Sequence, residues 1–195
     1  AMPRLLVPGI SEIALAGKLE AIARALGHQG IVKFRLWNNE LFYGHLLAGK
    51  SATFSSYISS PTGGRGINPA IAHGVSRHRI RRGEPVLFDY TFATDGYVVD
   101  QARIFSIGKL PDKLMRAHDA MLEVQAAVAQ AAKPGATGDE LFRLTMDIVN
   151  QHGYAENFMG LDKDRVTFVG HGVGIELDEY PFLAKGQSMP LEAGM

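Results

Sequence analysis

Residues 86–105 constrain the fold most strongly, because they place two carboxylates on one predicted β-hairpin. Two runs rich in β-branched and aromatic residues flank an Asp-Gly turn signal, which is the pattern of a hairpin. If Thr94 and Asp95 form the turn, Asp89 lies directly opposite Asp100. If the turn lies one residue later, the two carboxylates are diagonal neighbours on the same face. Both registers predict that the carboxylates lie close together.

Two neighbouring carboxylates on a mostly apolar sheet face destabilise a fold unless a positive charge lies between them. Arg103 is near in sequence, but its odd separation from Asp100 directs it to the opposite face. A shared proton or a bound cation remains. Hard divalent cations suit carboxylate oxygens, and an added imidazole extends the choice to Zn, Fe or Co. The alternative is a hairpin whose acids are solvated on an exposed face, and the pattern alone leaves both interpretations open.

The charge balance argues against nucleic-acid and membrane partners. Lys plus Arg number 20 and Asp plus Glu number 20, so no basic surface is predicted. No apolar run is long enough to span a bilayer, and the N-terminus lacks the apolar core of a signal peptide. Cysteine is absent, which excludes a thiol nucleophile, a thiolate zinc site and a disulfide. We therefore expect a cytoplasmic protein.

The order of the predicted elements indicates an α+β fold. The elements are a helix capped by Ser11 and ended by Gly27, strands at 31–36, 40–47 and 51–58, a loop at 59–69, the hairpin, a helix from Pro111 to Pro134, a helix with a capping box of Thr137 and Glu140 that ends at Gly153, and a short strand at 166–169. Strands, two helices and strands again predict helices packed on an antiparallel sheet.

A second group of polar residues follows the last predicted strand. Residues 170–174 read Gly-His-Gly-Val-Gly, a glycine-rich turn that leaves the imidazole of His171 uncrowded, and three acids follow it. A phosphate-binding loop fits poorly, because such loops use a helix N-terminus or a lysine. Taken alone, His171 reads as a hydrogen-bonded structural residue. Together with two paired carboxylates, it indicates a metal site of mixed nitrogen and oxygen donors.

The remaining histidines carry weaker signals. His73 lies just ahead of the hairpin, where a solvated loop residue is the simpler interpretation. The sequence has neither a Gly-x-Ser-x-Gly elbow for a serine nucleophile nor a His-Glu-x-x-His motif for a mononuclear zinc protease. The other five histidines are interpreted as surface or packing residues: His28, His45, His78, His118 and His152.

Taken together, these stretches resemble the pita-bread metallopeptidases, which include methionine aminopeptidase, aminopeptidase P, prolidase and the related creatinase. The likeness starts at residues 8–12, covers most of the chain, and depends on the aspartate spacing together with the Gly-His-Gly-x-Gly turn. It implies a single pita-bread catalytic domain over residues 1–195, with a curved, mostly antiparallel sheet and helices on its outer face. It also implies two divalent metal ions, Mn, Co, Zn or Fe, with Asp89, Asp100 and His171 as ligands.

The resemblance also assigns residues around the metals. His73 matches a histidine that contacts the substrate. Asp178 stands where a second family histidine holds the substrate or the tetrahedral intermediate, so a substrate-binding or catalytic role is implied for Asp178. A further departure is Thr91, which replaces a family glycine.

The family's two glutamate ligands, one of which acts as general base, follow a Leu-x-x-Gly-Met lead-in that here forms residues 191–195. We therefore expect an incomplete domain that lacks its last strands. On this expectation the general-base glutamate lies outside the chain, and the fragment is inactive.

The implied activity is that of an exopeptidase that removes N-terminal residues or cleaves Xaa-Pro peptides through a metal-bridged hydroxide. The segment Ile175-Glu176-Leu177 resembles the Xaa-Pro branch more than methionine aminopeptidase. A peptide substrate and a homodimer fit this interpretation. Two rivals stay open: a metal-free pita-bread module that binds peptides or proteins, and a creatinase-like amidinohydrolase.

Overall fold

The computed structural model describes residues 1–35, 40–56, 60–161 and 165–195. Within these ranges the helices and strands follow in the order α1 (Met2–Leu5), α2 (Glu12–Ala25), β1 (Val32–Lys33), β2 (Glu40–Leu41), β3 (Gly44–Ala48), β4 (Pro85–Thr94), β5 (Tyr97–Ser106), α3 (Asp112–Ala131), α4 (Gly138–Gln151), β6 (Phe168–Gly172) and β7 (Glu179–Ala184). Each of these strands pairs antiparallel with its neighbour, which confirms the predicted α+β class. No helix in the described part of the chain is both long and apolar enough to cross a membrane.

The chain divides into two compact units. The first comprises residues 1–110 and 173–177, and the second comprises residues 111–172 and 178–195. The first unit contains the three-stranded sheet β3–β4–β5 and the small sheet β1–β2, while the second contains the pair β6–β7.

Helix α2 packs into the apolar core of the first unit. It begins at Glu12 because the hydroxyl of Ser11 accepts a hydrogen bond from the Ala14 N–H at 3.3 Å, as an N-cap does. Leu15 and Leu19 are buried in one apolar cluster with residues of β3 and β4. Burial of side chains of this size contributes about 1.5–3 kcal/mol each. The predicted helix and its cap are confirmed.

Strands β4 and β5 form the predicted hairpin in the second of its two registers. Thr94 pairs with Tyr97, so Asp95 and Gly96 make the turn. Both turn residues have positive φ, 51° and 84°, as a two-residue hairpin turn of type I′ requires. The opposite edge of β4 pairs with β3, which places β4 in the middle of the sheet.

The strand predictions ahead of the hairpin are partly wrong. The strand predicted at 51–58 is absent from its described part, because residues 49–53 form a 3-10 helix in which the Thr53 hydroxyl donates to the Lys50 carbonyl at 2.8 Å. Residues 57–58 lie outside the described residues.

The predicted strands at 31–36 and 40–47 are also shorter or divided. Only Val32–Lys33 of the first is extended in a sheet, and residue 36 lies outside the described residues. The second is divided into β2 and β3, because Gly44 has φ 118° and approaches the Asp89 backbone where a Cβ would lie 2.3 Å from the carbonyl oxygen.

Helices α3 and α4 pack together in the second unit. The predicted capping box is confirmed: the Thr137 hydroxyl accepts from the Glu140 N–H at 3.3 Å, and the Glu140 carboxylate accepts from the Thr137 N–H at 2.8 Å. The apolar cluster between the helices is built on Val124 from α3 and on Ile148 and Val149 from α4.

Candidate metal and substrate site

Asp89 and Asp100 lie on the same face of the hairpin. Asp89 pairs with Ala102 and Asp100 pairs with Thr91, so the two carboxylates are diagonal neighbours across β4 and β5. Diagonal neighbours in such a ladder have Cα atoms about 7–8 Å apart. Asp89 is half-buried and Asp100 is exposed. The register therefore places both carboxylates on one face of the hairpin.

Thr91 occupies the space beside Asp100 on this face. Its side chain is buried, with 4% exposed, and its hydroxyl donates to the Tyr43 carbonyl at 3.0 Å. The backbone N–H of Thr91 also donates to that carbonyl, at 2.7 Å. The residue that departs from the family glycine is thus held by the carbonyl of Tyr43, and it pairs with Asp100 in the ladder.

His45 is a residue of this face for which sequence reasoning found no role. It lies on β3 directly across from Asp89, and its side chain is 5% exposed. Among the described residues, the buried Nδ1 atom of His45 has no hydrogen-bond partner. Burial, assisted by His73, lowers the pKa of His45 to about 4, so its ring is neutral at neutral pH. The only signal in the sequence was a histidine inside the apolar run 44–48.

His73 is brought to the same place from the loop before the hairpin. Its ring centroid lies 4.8 Å from that of His45, in an edge-on arrangement. Its Nε2 atom lies 3.1 Å from the hydroxyl of Ser56. Burial lowers the pKa of His73, which favours the neutral imidazole. The first unit thus places His73 beside His45, which lies across from Asp89 in the β3–β4 ladder.

His171 lies within a strand and not in a turn. The strand predicted at 166–169 is β6 at Phe168–Gly172, so the glycine-rich stretch begins inside it. The glycine beside His171 allows the neighbouring strand to approach closely, since a Cβ on Gly172 would lie 2.7 Å from the Tyr180 carbonyl oxygen of β7. The pairing of β6 with β7 is irregular around His171, with register shifts on both sides of it.

Asp178 lies next to His171 in the second unit. The His171 Nε2 atom is 3.3 Å from an Asp178 carboxylate oxygen, and each side chain is 17% exposed. Burial raises the pKa of Asp178, and the neighbouring His171 partly offsets that rise. The Nδ1 atom of His171 lies 3.0 Å from the Gly172 carbonyl oxygen, so this nitrogen is the donor. His171 also lines a cavity of about 340 Å³ that Pro181 and Leu183 of β7 share.

The candidate metal donors discussed above lie close together in pairs. Within residues 1–35, 40–56, 60–161 and 165–195, no group of three or more His, Asp or Glu side chains is suited to hold a metal ion. Two such pairs are Asp89 with Asp100 in the first unit and His171 with Asp178 in the second. Carboxylate oxygen and imidazole nitrogen are donors that fit Mn, Co, Zn or Fe. Such a cation takes about four to six ligands, so each pair would fill only part of its coordination sphere.

Comparison with known proteins places the chain in a family. The model of metallopeptidase family M24 matches residues 1–195. The Xaa-Pro dipeptidase of Lactobacillus helveticus is 36% identical to it over 131 residues, which is 67% of this chain and 34% of that protein. The chain thus spans about a third of the length of this curated relative.

Two solved structures show the same fold. The X-Pro aminopeptidase of Thermotoga maritima matches with a TM-score of 0.75 at 24% identity, over 96% of this chain and 44% of that one. The prolidase of Pyrococcus furiosus also matches with a TM-score of 0.75 at 24% identity, over 97% of this chain and 47% of that one. The structural neighbours are pita-bread proteins, which confirms the predicted fold class. The chain therefore belongs to metallopeptidase family M24 and has the pita-bread fold.

Proposed function

We propose that this chain is part of the catalytic domain of an exopeptidase that uses two divalent metal ions and acts on N-terminal residues or Xaa-Pro peptides. The observation that carries the proposal is the placement of Asp89 and Asp100 on one face of the hairpin in a chain of family M24. The printed names of its relatives, Xaa-Pro dipeptidase and prolidase, favour the Xaa-Pro branch. We also propose a cytoplasmic location and a homodimer.

The proposed metal ligands are Asp89, Asp100 and His171. When bound, two such cations supply an activated water molecule and a polarised scissile carbonyl. The chain's own contribution is to hold its carboxylates and imidazole in place before the cations arrive. The β4–β5 ladder does this for the aspartates, and the Gly172 carbonyl does it for the imidazole of His171.

His73 is proposed to position the peptide. Burial lowers the pKa of His73 and favours the neutral imidazole, which can donate to or accept from a peptide group without adding a positive charge to the site. The Ser56 hydroxyl and the ring of His45 fix the direction in which the imidazole of His73 faces. A ring held in this way loses less conformational entropy when the peptide binds.

We propose in addition that the 195-residue chain has little or no turnover by itself. The described residues gather no three metal ligands, so bound cations are expected to stay mostly hydrated and loosely held. A peptide site can still be detected by binding, because a metal and a peptide that share a site raise each other's affinity.

The test is binding of an Xaa-Pro dipeptide with and without Mn²⁺, measured by calorimetry on the wild-type chain and on Asp100→Asn. The proposal predicts that Mn²⁺ raises peptide affinity and that Asp100→Asn removes this effect. Equal peptide binding with and without metal would indicate the metal-free binding module. Hydrolysis of a guanidino amide without metal, and no binding of the dipeptide, would indicate a creatinase-like enzyme.

A further inference from the structure

The contact between His171 and Asp178 joins two atoms that both carry lone pairs. The Nε2 atom of His171 lies 3.3 Å from the Asp178 Oδ1 atom. The other ring nitrogen, Nδ1, lies 3.0 Å from the Gly172 carbonyl oxygen. A carbonyl oxygen can only accept, so Nδ1 carries a hydrogen. In the neutral ring Nε2 is therefore an acceptor, and it faces a carboxylate oxygen.

Two acceptors at this distance repel each other unless a cation, either a proton or a metal ion, lies near both of them. A proton on Nε2 would make a charge-assisted hydrogen bond, and such bonds have N–O distances of about 2.7–2.9 Å. The observed 3.3 Å is longer. Two ligand atoms at about 2.1 Å from one cation lie about 3.0 Å apart in an octahedral site and about 3.4 Å apart in a tetrahedral site. The separation therefore fits two ligands of one metal ion better than it fits a hydrogen bond.

The surroundings of His171 agree with this assignment. A histidine that binds a metal donates its other ring N–H to a carboxylate or a backbone carbonyl, which fixes its tautomer and orientation. The Gly172 carbonyl oxygen accepts from Nδ1 of His171 in this way. The aromatic rings of Phe168 and Phe182 lie with their centroids 5.7 Å and 6.4 Å from that of His171, and they restrict its rotation.

We propose that Asp178 is a metal ligand that acts together with His171, in place of the substrate contact that the resemblance assigns to this position. The proposal rests on the metal-dependent function proposed above. It adds an anionic oxygen to the donor set, and an oxygen ligand favours a hard cation such as Mn²⁺ relative to Zn²⁺. The aspartate at this position thereby changes the preferred metal of the site and not only its substrate contacts.

Titration with Co²⁺ tests the assignment, because bound cobalt reports its ligands through its visible absorption. The variants are Asp178→Asn, which keeps the shape but removes the charge, and Asp178→Glu, which keeps the carboxylate. Glu179→Gln removes a neighbouring negative charge and is the matched control. Asp100→Asn tests the proposed function separately. Thermal unfolding of each variant checks that it folds.

The proposal predicts that Asp178→Asn weakens Co²⁺ binding by about tenfold or more, which is the loss expected when a metal site loses a supporting group, and that it alters the visible spectrum. Asp178→Glu should restore both, and Glu179→Gln should bind like the wild type. Wild-type affinity and spectrum in Asp178→Asn, together with weakened binding in Asp100→Asn, would overturn the role of Asp178 and leave the proposed function standing. Loss of binding in Asp178→Asn alone would support Asp178 and contradict the ligand role of Asp100. No cobalt binding by the wild type would contradict both.

Discussion

His28 and His45 are both buried in the first unit, but their ring nitrogens differ in their hydrogen-bond partners. The Nε2 atom of His28 donates to the Phe42 carbonyl at 2.7 Å, and its Nδ1 atom accepts from the Ala93 N–H at 3.0 Å. His28 therefore acts as a structural link between two backbone segments. His45 has a buried Nδ1 atom with no partner among the described residues, and it lies across from Asp89. A buried polar atom left without a partner costs about 1–3 kcal/mol, so packing alone does not favour a histidine at this position.

The low pKa of His45 predicts a specific pH dependence of stability. The ring has a pKa of about 4 in the folded chain and 6.5 as its ordinary value, so between these values the unfolded chain binds more protons. The free energy of unfolding should therefore fall as pH drops through this window, by up to about 1.4 kcal/mol per pH unit from this group. Urea unfolding of the wild type and of His45→Phe over a pH series measures it.

The His45→Phe variant keeps an aromatic ring beside His73 and removes the titrating group. Relative to His45→Phe, the wild type should lose stability as the pH is lowered below 6.5, the ordinary pKa of histidine. Above that pH, the difference between the two free energies of unfolding should stay constant. A difference that does not change with pH would show that His45 is not buried in its neutral form.

At the scale of elements, Glu12 links α2 to two other segments of the first unit. Its carboxylate is fully buried, and it accepts from the Ala48 N–H at 2.7 Å, from the Ser76 N–H at 2.8 Å and from the Ser76 hydroxyl at 2.6 Å. These bonds join the start of the helix to the end of β3 and to the loop before the hairpin. The loop that carries His73 is thereby held at Ser76.

Replacement of Glu12 by Gln should destabilise the chain by about 2–3 kcal/mol, because in either orientation the amide nitrogen would face a buried donor, that of Ala48 or of Ser76. Glu156→Gln is the matched control, since the side chain of Glu156 is 92% exposed and its ion pair with Arg165 contributes little. Thermal or urea unfolding compares the two. Similar small losses in both variants would show that the buried carboxylate does not anchor α2.

The glycine next to His171 allows a second comparison within the elements. Gly172→Ala would place a Cβ 2.7 Å from the Tyr180 carbonyl oxygen, so β6 and β7 must separate, at a cost of about 1–3 kcal/mol. Gly17→Ala has open space around the new Cβ on the exposed side of α2, so it should stabilise the chain by about 0.5–1 kcal/mol. Unfolding measurements should give effects of opposite sign. Effects of the same sign would contradict the close approach of the two strands.

The elements differ in how far the sequence determines them. The hairpin and the capping box at Thr137 were predictable because their signals are local: an Asp-Gly turn between strand-like runs, and a Thr and a Glu three residues apart. The prediction of a strand at 51–58 was wrong for the described residues, because the hydrogen bond from the Thr53 hydroxyl to the Lys50 carbonyl favours a 3-10 turn there. The role of His45 was not predictable, because it depends on the pairing of β3 with β4.

At the scale of the whole molecule, the family match and the arrangement of the donors have to be considered together. The family match extends over residues 1–195, and the chain spans 34% of the Xaa-Pro dipeptidase from Lactobacillus helveticus. The described residues contain no group of three or more His, Asp or Glu side chains suited to hold a metal ion. We therefore predict that this chain binds divalent cations specifically but weakly, since few protein ligands replace their hydration water.

The central claim is that the neighbouring charges of Asp89 and Asp100 are compensated by bound cations and not by water. Calorimetric titration of Mn²⁺ into the wild-type chain, Asp89→Asn and Asp100→Asn tests it most directly. The account predicts measurable wild-type binding with a micromolar or weaker dissociation constant, and its loss in both variants. Submicromolar binding would contradict the predicted weakness, and wild-type binding in the two variants would contradict the metal site itself.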